Sequence, residues 1–187
     1  MRSPFYFITK PLNNKRYDNT RDIDGAELVI SVSDEDHKFS NRYAEVISTP
    51  LWYKGDISEG DILLVHHNVF KYYYDMKGKQ RSGRSFFKDD IFLIDSEQFF
   101  AYKKDDKWYS YDRYCLVKPH PKVESYLYKG FSDEPLMGIM GVPNNYLQSK
   151  GISSGDAVIF TPDSEYEFNV DGEIMYRIFD HQIVARA

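Results

Sequence analysis

His66-His67 is the first place in this sequence where metal chemistry could be sought, because neutral imidazoles are common ligands for zinc and related ions. The pair closes the apolar run Ile62-Leu63-Leu64-Val65, and neighbours on a strand point to opposite faces, so the two rings are not expected to share an ion. His37, His120 and His181 are scattered, and Cys115 has no second cysteine at zinc-ligand spacing. No metal site is expected. The lone thiol lies in Cys115-Leu116-Val117, which reads as a reduced core residue and fits a cytoplasmic protein.

Other chemistry is equally thin. The sequence has no Walker loop, nucleophile elbow, zinc-binding helix motif or dinucleotide fingerprint. Gly138-Ile139-Met140-Gly141 lacks the following helix that a phosphate site uses. Asp105-Asp106 and Asp34-Glu35-Asp36 sit in polar runs and read as solvated surface rather than a carboxylate pair for glycoside cleavage. Tyr72-Tyr73-Tyr74 followed by Lys77, Lys79, Arg81 and Arg84 mixes aromatics with cations, a combination able to stack bases and neutralise phosphates. Asp75, Asp89 and Asp90 flank it and the chain carries a net −5, so it reads as a solvated hairpin tip over a tyrosine-rich strand. Nucleic acid is not an expected partner. No catalytic residue and no cofactor emerge, and the expectation is a binding protein, not an enzyme.

The elements that must position any binding residue are strands. Aromatics make up 17% of the 187 residues, and 8 prolines and 11 glycines are spread along the chain, which predicts an all-β protein of many short strands and turns. No run of eighteen apolar residues exists, and Met1-Arg2-Ser3-Pro4-Phe5 lacks a signal peptide's apolar stretch, so neither a membrane span nor export is expected.

The strands come in two copies. Asp56-Ile57-Ser58-Glu59-Gly60-Asp61-Ile62-Leu63-Leu64-Val65 aligns with Gly151-Ile152-Ser153-Ser154-Gly155-Asp156-Ala157-Val158-Ile159-Phe160 at an offset of 95, with four of ten positions identical. Upstream, Lys10-Pro11 matches Lys118-Pro119 at an offset of 108; downstream, Gln98-Phe99-Phe100-Ala101 matches Gln182-Ile183-Val184-Ala185 at an offset of 84. The shrinking offsets place two insertions in the first copy, of 13 residues before the Gly-Asp turn and 11 after it. A boundary in Lys103-Lys104-Asp105-Asp106-Lys107 gives domains 1–106 and 107–187. Strands are expected at 5–9, 43–48, 62–66, 92–94 and 98–102, then at 114–117, 138–142, 157–160, 174–178 and 183–186. Asp171-Gly172 signals a hairpin, and no segment carries a useful helical period. Five short strands in each unit suit a small closed or partly open barrel; a generic small barrel fits these patterns as well.

The order of opening strand, long loop, second strand, Gly-Asp turn, buried strand, hairpin and closing strand resembles the GroES-like ten-kilodalton co-chaperonin family. Gly155-Asp156-Ala157-Val158-Ile159-Phe160, Asp171-Gly172-Glu173 and Asp180-His181-Gln182-Ile183-Val184-Ala185 carry the closer match, and Gly60-Asp61-Ile62-Leu63-Leu64-Val65 the other. The resemblance implies two tandem GroES-like β-barrels, assembly into a homo-oligomeric ring, a heptamer because a seven-fold chaperonin favours seven copies, and a GroEL-like chaperonin ring as partner. It also implies a mobile docking loop. In residues 12–42, the apolar triple Leu28, Val29, Ile30 stands in polar surroundings that cannot order themselves. Burying three aliphatic side chains yields about 5 to 9 kcal/mol, while ordering eight loop residues costs roughly 8 to 16 kcal/mol, so several loops must act together. The same residues also suit a core strand without a partner. Subunit contacts are expected between the opening strand, with Phe5 and Phe7, and a neighbour's closing strand, with Ile183 and Val184.

The family's roof hairpin is missing, since Pro50-Leu51-Trp52-Tyr53-Lys54-Gly55 and Pro143-Asn144-Asn145-Tyr146-Leu147-Gln148 are too short for it, and this divergence resembles a phage-encoded version. The second unit's loop carries Tyr126-Leu127-Tyr128 and no aliphatic triple. A structural ring or tail component of a virion, using similar barrels for assembly alone, is the alternative.

Overall fold

In a computed structural model the chain is all-β, and the described residues contain one short α-helix. Those residues are 1–17, 20–23, 26–29, 39–121 and 136–187, with 20–23 and 26–29 described by backbone alone. The chain divides into two compact units, Met1–Asp106 and Lys107–Ala187.

The first unit contains β1 (Phe7–Pro11), β2 (Thr20–Ile23), β3 (Ala26–Val29), β4 (Tyr43–Ser48), β5 (Ile62–Val65), β6 (Tyr72–Tyr74), β7 (Gln80–Ser82), β8 (Phe86–Lys88), β9 (Ile91–Ile94) and β10 (Phe99–Lys104). Its main sheet runs β10-β5-β4-β1-β9-β8, while β2–β3 and β6–β7 are separate two-stranded hairpins. The second unit contains β11 (Lys107–Ser110), β12 (Tyr114–Pro119), β13 (Met137–Val142), α1 (Asn145–Ser149), β14 (Ala157–Phe160), β15 (Tyr166–Val170), β16 (Glu173–Phe179) and β17 (Ile183–Arg186). Its sheet runs β15-β16-β12-β13-β14-β17.

Read from opposite ends, these are the same order: β10, β5, β4, β1, β9 and β8 correspond to β17, β14, β13, β12, β16 and β15. The correspondence extends to register. Ile8 pairs with Ser48 and Thr9 with Val46, across a bulge; Leu116 pairs with Val142 and Val117 with Met140, across a bulge at the same place. At the other side, Val65 opposes Phe99 and Leu64 opposes Ala101, as Phe160 opposes Ile183 and Ile159 opposes Ala185, again with one residue bulged out in each. The sequence offsets of 108, 95 and 84 therefore reappear as pairing partners.

The Gly-Asp turn explains why the sheets begin alike. Gly60 at φ +90° and Gly155 at φ +93° take a backbone conformation that a side chain would strain. Each glycine N–H donates to the carbonyl of the strand beside it, Val46 or Met140, at 2.8 Å. The following aspartates then hold the turn, since Oδ2 of Asp61 accepts from Ser58 N and Oδ2 of Asp156 from Ser153 N, both at 2.8 Å.

Each unit has its own core. In the first, Phe7 stacks edge-on with Phe99 and Phe70 with Phe92, at centroid separations of 5.2 and 4.8 Å. In the second, Cys115, Val117, Met140, Val158, Phe160 and Ile178 form the buried cluster. Gly138 is required there: a Cβ would lie 2.2 Å from Val117 Cγ1 and 2.7 Å from the Lys118 carbonyl. Asn144 caps α1 by accepting from Leu147 N at 2.9 Å, and Leu147 drops into the core. The Asp171-Gly172 turn, at φ +51° and +89°, joins Val170 to its partner Glu173 as a two-residue hairpin.

The strands are arranged as open sheets rather than closed barrels. The expected seams are absent, because β8 does not pair with β10, nor β15 with β17. Closure requires tilted strands long enough to cover a staggered seam, and β8 and β17 supply only three and four residues. The opening strand also differs from expectation. It starts at Phe7, lies between β4 and β9, and both its edges are filled.

Candidate functional site

The docking-loop candidate, residues 12–42, has a stem fixed by one side chain. Asn41 Nδ2 donates to the carbonyls of Leu12 at 3.0 Å and Lys15 at 2.6 Å, while its Oδ1 accepts from Tyr43 N at 2.9 Å. A bridge between Tyr17 and Ser40 closes the stem, and Ser40 Oγ donates to the His67 carbonyl at 2.8 Å. Arg16 anchors one side, donating to Asp90 at 3.2 Å and Ser82 at 3.0 Å and lying over the Phe86 and Phe92 rings.

Beyond the stem, β2 and β3 form a hairpin in which Thr20 pairs with Val29 and Arg21 with Leu28. Leu28 and Val29 thus stand on a paired strand, whereas Ile30 lies outside the described residues. Tyr126-Leu127-Tyr128 of the second unit's loop lies outside them too. The hairpin went unread in the sequence although Asp24-Gly25, between Ile23 and Ala26, is a strong hairpin dipeptide.

The assembly candidates separate. Phe7 is fully buried, edge-on to Tyr53 and Phe99, and serves the core. Phe5 precedes β1 and is 68% exposed. The chain there lies along residues 48–52: Leu51 N donates to the Ser3 carbonyl at 3.0 Å, Trp52 Nε1 to the Phe5 carbonyl at 3.3 Å, and Ser48 Oγ to the Met1 carbonyl at 2.9 Å. Phe5, Tyr6, Leu51 and Trp52 therefore make one exposed apolar strip. In the second unit, β17 pairs with β14 on one side and ends the strand order on the other. Val184 points outward from it at 65% exposure, and Ile183 is half-buried against the core cluster.

The groups that could do chemistry are engaged structurally. Burial pushes the Cys115 thiol up to about 12, and its Sγ donates to the Ile178 carbonyl at 3.4 Å. His66 and His67 do not face apart as the strand pattern implied. β5 ends at Val65, the chain turns, and the two rings stack with centroids 4.1 Å apart. His66 Nδ1 accepts from Asn68 N at 3.2 Å. Among the described residues, no three His, Cys, Asp or Glu side chains gather as a metal ion would need. Buried Asp180 is the centre of a network: Arg113 NH2 donates to it at 2.8 Å and Asn144 Nδ2 at 3.1 Å. Burial raises its pKa, yet these two donors, the Arg113 charge and the His181 N–H together hold it below the usual carboxylate value. Arg177 lies 5.2 to 5.4 Å over the rings of Tyr114, Tyr166 and Phe179.

Among the described residues no helix is long and apolar enough to cross a membrane. Compared with models of known protein families and with characterised proteins, the sequence matches none.

Proposed function

We propose that this protein is a cytoplasmic, non-enzymatic co-chaperonin of the GroES-like kind, with two open-sheet units per chain, that caps a chaperonin ring during ATP-dependent folding. The observation that carries the reading is the clamped loop between the first two strands of the main sheet, with a hairpin bearing Leu28 and Val29 beyond its stem. It occupies the position that the family resemblance assigns to the docking element. Pairing between β2 and β3 orders part of the loop in advance, which lowers the entropy cost of docking.

The assembly surfaces support the same reading. Each copy offers an apolar strip at Phe5, Leu51 and Trp52 and a terminal strand edge at β17. Joining the strip of one copy to the β17 edge of the next is a head-to-tail contact, which closes into a ring at a fixed rotation. Seven copies would match a seven-fold chaperonin and let all Leu28-Val29-Ile30 segments dock together.

The test is functional replacement. In a refolding reaction of chaperonin, ATP and a denatured substrate that depends on a co-chaperonin, this protein should restore the folded yield, and L28D should leave it at the chaperonin-only level. A protein of purely structural role in a virion would leave the yield unchanged, and that result would remove the reading.

A further inference from the structure

The β6–β7 hairpin has no counterpart in the second unit, since twenty residues separate β5 from β8 but only five separate β14 from β15. It is a built projection. Tyr72 anchors its base with its ring edge-on to Tyr17 at 5.0 Å. Asp75 sets its tip, accepting from the N–H groups of Lys77 and Lys79 at 2.9 and 3.0 Å and from Arg81 Nε at 3.1 Å. Gly78, at φ +72°, lets the chain reverse there.

What it projects differs in charge from the rest of the protein. Residues 71–88 hold six basic residues and one acidic one; of the chain's 24 basic and 29 acidic residues, 18 and 28 remain elsewhere. A segment of +5 thus stands on a body of −10. Met76 is fully exposed at the tip, beside Tyr74 at 58%.

The second unit carries the complement. Residues 163–173 contain Asp163, Glu165, Glu167, Asp171 and Glu173, all exposed, and no basic residue. Lys118 engages Glu173 and Trp108 Nε1 donates to Asp171 at 2.8 Å, so Asp163, Glu165 and Glu167 are the charges left for a partner. Ile174, 49% exposed, adds an apolar point to this hairpin as Met76 does to the other.

We propose that the basic β6–β7 hairpin of one copy docks on the acidic β15–β16 hairpin of a second copy. The two hairpins are opposite in charge, each offers an exposed apolar residue amid its charges, and the acidic body attracts a cationic hairpin while repelling a polyanion such as nucleic acid. β8 and β15 hold the same terminal position in the shared strand order. In a head-to-tail array the first unit of one copy follows the second unit of another, so the unit with the basic hairpin neighbours a unit with the acidic one. The inference rests on the ring reading for that order alone and needs no chaperonin.

Charge exchange tests it, with self-association of the full chain followed by sedimentation at about 0.05 M and about 0.5 M salt, where screening lengths differ severalfold. K77E/K79E and E165K/E167K, at exposed positions, should each weaken association about tenfold, and the four-site variant should recover most of it. Wild-type association should weaken at high salt. Association unmoved by either reversal, or a four-site variant no better than its parents, would overturn the inference while leaving the ring intact. A wild-type monomer at both salts would remove the ring reading as well. A labelled oligothymidylate that binds wild type and not K77E/K79E, with association unchanged, would assign the hairpin to nucleic acid instead.

Discussion

Asp61 and Asp156 lie 95 residues apart and hold the same turn with the same bond, each accepting from a serine N–H three residues earlier at 2.8 Å. Removing either side chain leaves one turn N–H without its acceptor. D61A and D156A should each lower stability by about 1 kcal/mol, with the second somewhat more affected because Asp156 also pairs with Arg186 at 3.0 Å. Urea unfolding checks this; a silent D61A would break the equivalence.

That equivalence was legible because apolar runs and turn residues repeat even where insertions shift them. Thr9 pairs with Val46 and Val117 with Met140 beside a bulge that both units share. The sheets' openness was not legible, because strand length at a seam depends on tilt and stagger, which no local pattern encodes. The stacking of His66 on His67 was missed for a related reason, since the strand ends one residue before the pair. The clamp by Asn41 left no signal, as a single asparagine between a serine and an arginine reads as ordinary loop.

Gly138 tests the packing of the second unit. G138V should cost about 1 to 3 kcal/mol or more, because its side chain would meet Val117 and the Lys118 carbonyl. Ala44, at the corresponding place in the first unit, should tolerate glycine with a loss of about 1 kcal/mol. Thermal unfolding of the two variants checks the contrast.

Cys115 predicts a pH dependence at the alkaline end. Its thiol holds its proton to about 12 when folded, whereas an unfolded cysteine ionises near about 8.5. The unfolded chain therefore binds fewer protons between those values, and stability should fall as pH rises through that window. C115A should flatten the fall, and native protein should resist thiol reagents that label it after unfolding. Rapid labelling of the native protein would contradict the buried thiol.

The Asp180 network predicts the acid counterpart. A carboxyl held below its ordinary value contributes stability above that value, near about 3.9, and loses it as pH falls through the lower folded one. R113A should lower stability at neutral pH by leaving a buried carboxylate short of a donor. Its deficit should shrink in acid, as pH titration of unfolding would reveal.

Assembly is tested at the β17 edge. The Ile183 N–H donates to the Asp180 carbonyl, so proline there would damage the unit itself, whereas V184K alters an exposed side chain. Native mass spectrometry should find a ring of seven for wild type and smaller species for V184K, with unfolding unchanged. A seven-membered ring from V184K would place the contact elsewhere.

The central claim is that the loop carrying Leu28-Val29-Ile30 docks on a chaperonin, and binding of the full-length protein to an immobilised GroEL-like ring is its most direct measurement. Wild type should bind in the presence of ATP and dissociate without it, and L28D should bind at least about tenfold more weakly while keeping the wild-type circular dichroism and oligomer mass. Equal binding by L28D, or no binding by the wild-type protein with ATP present, would contradict the account.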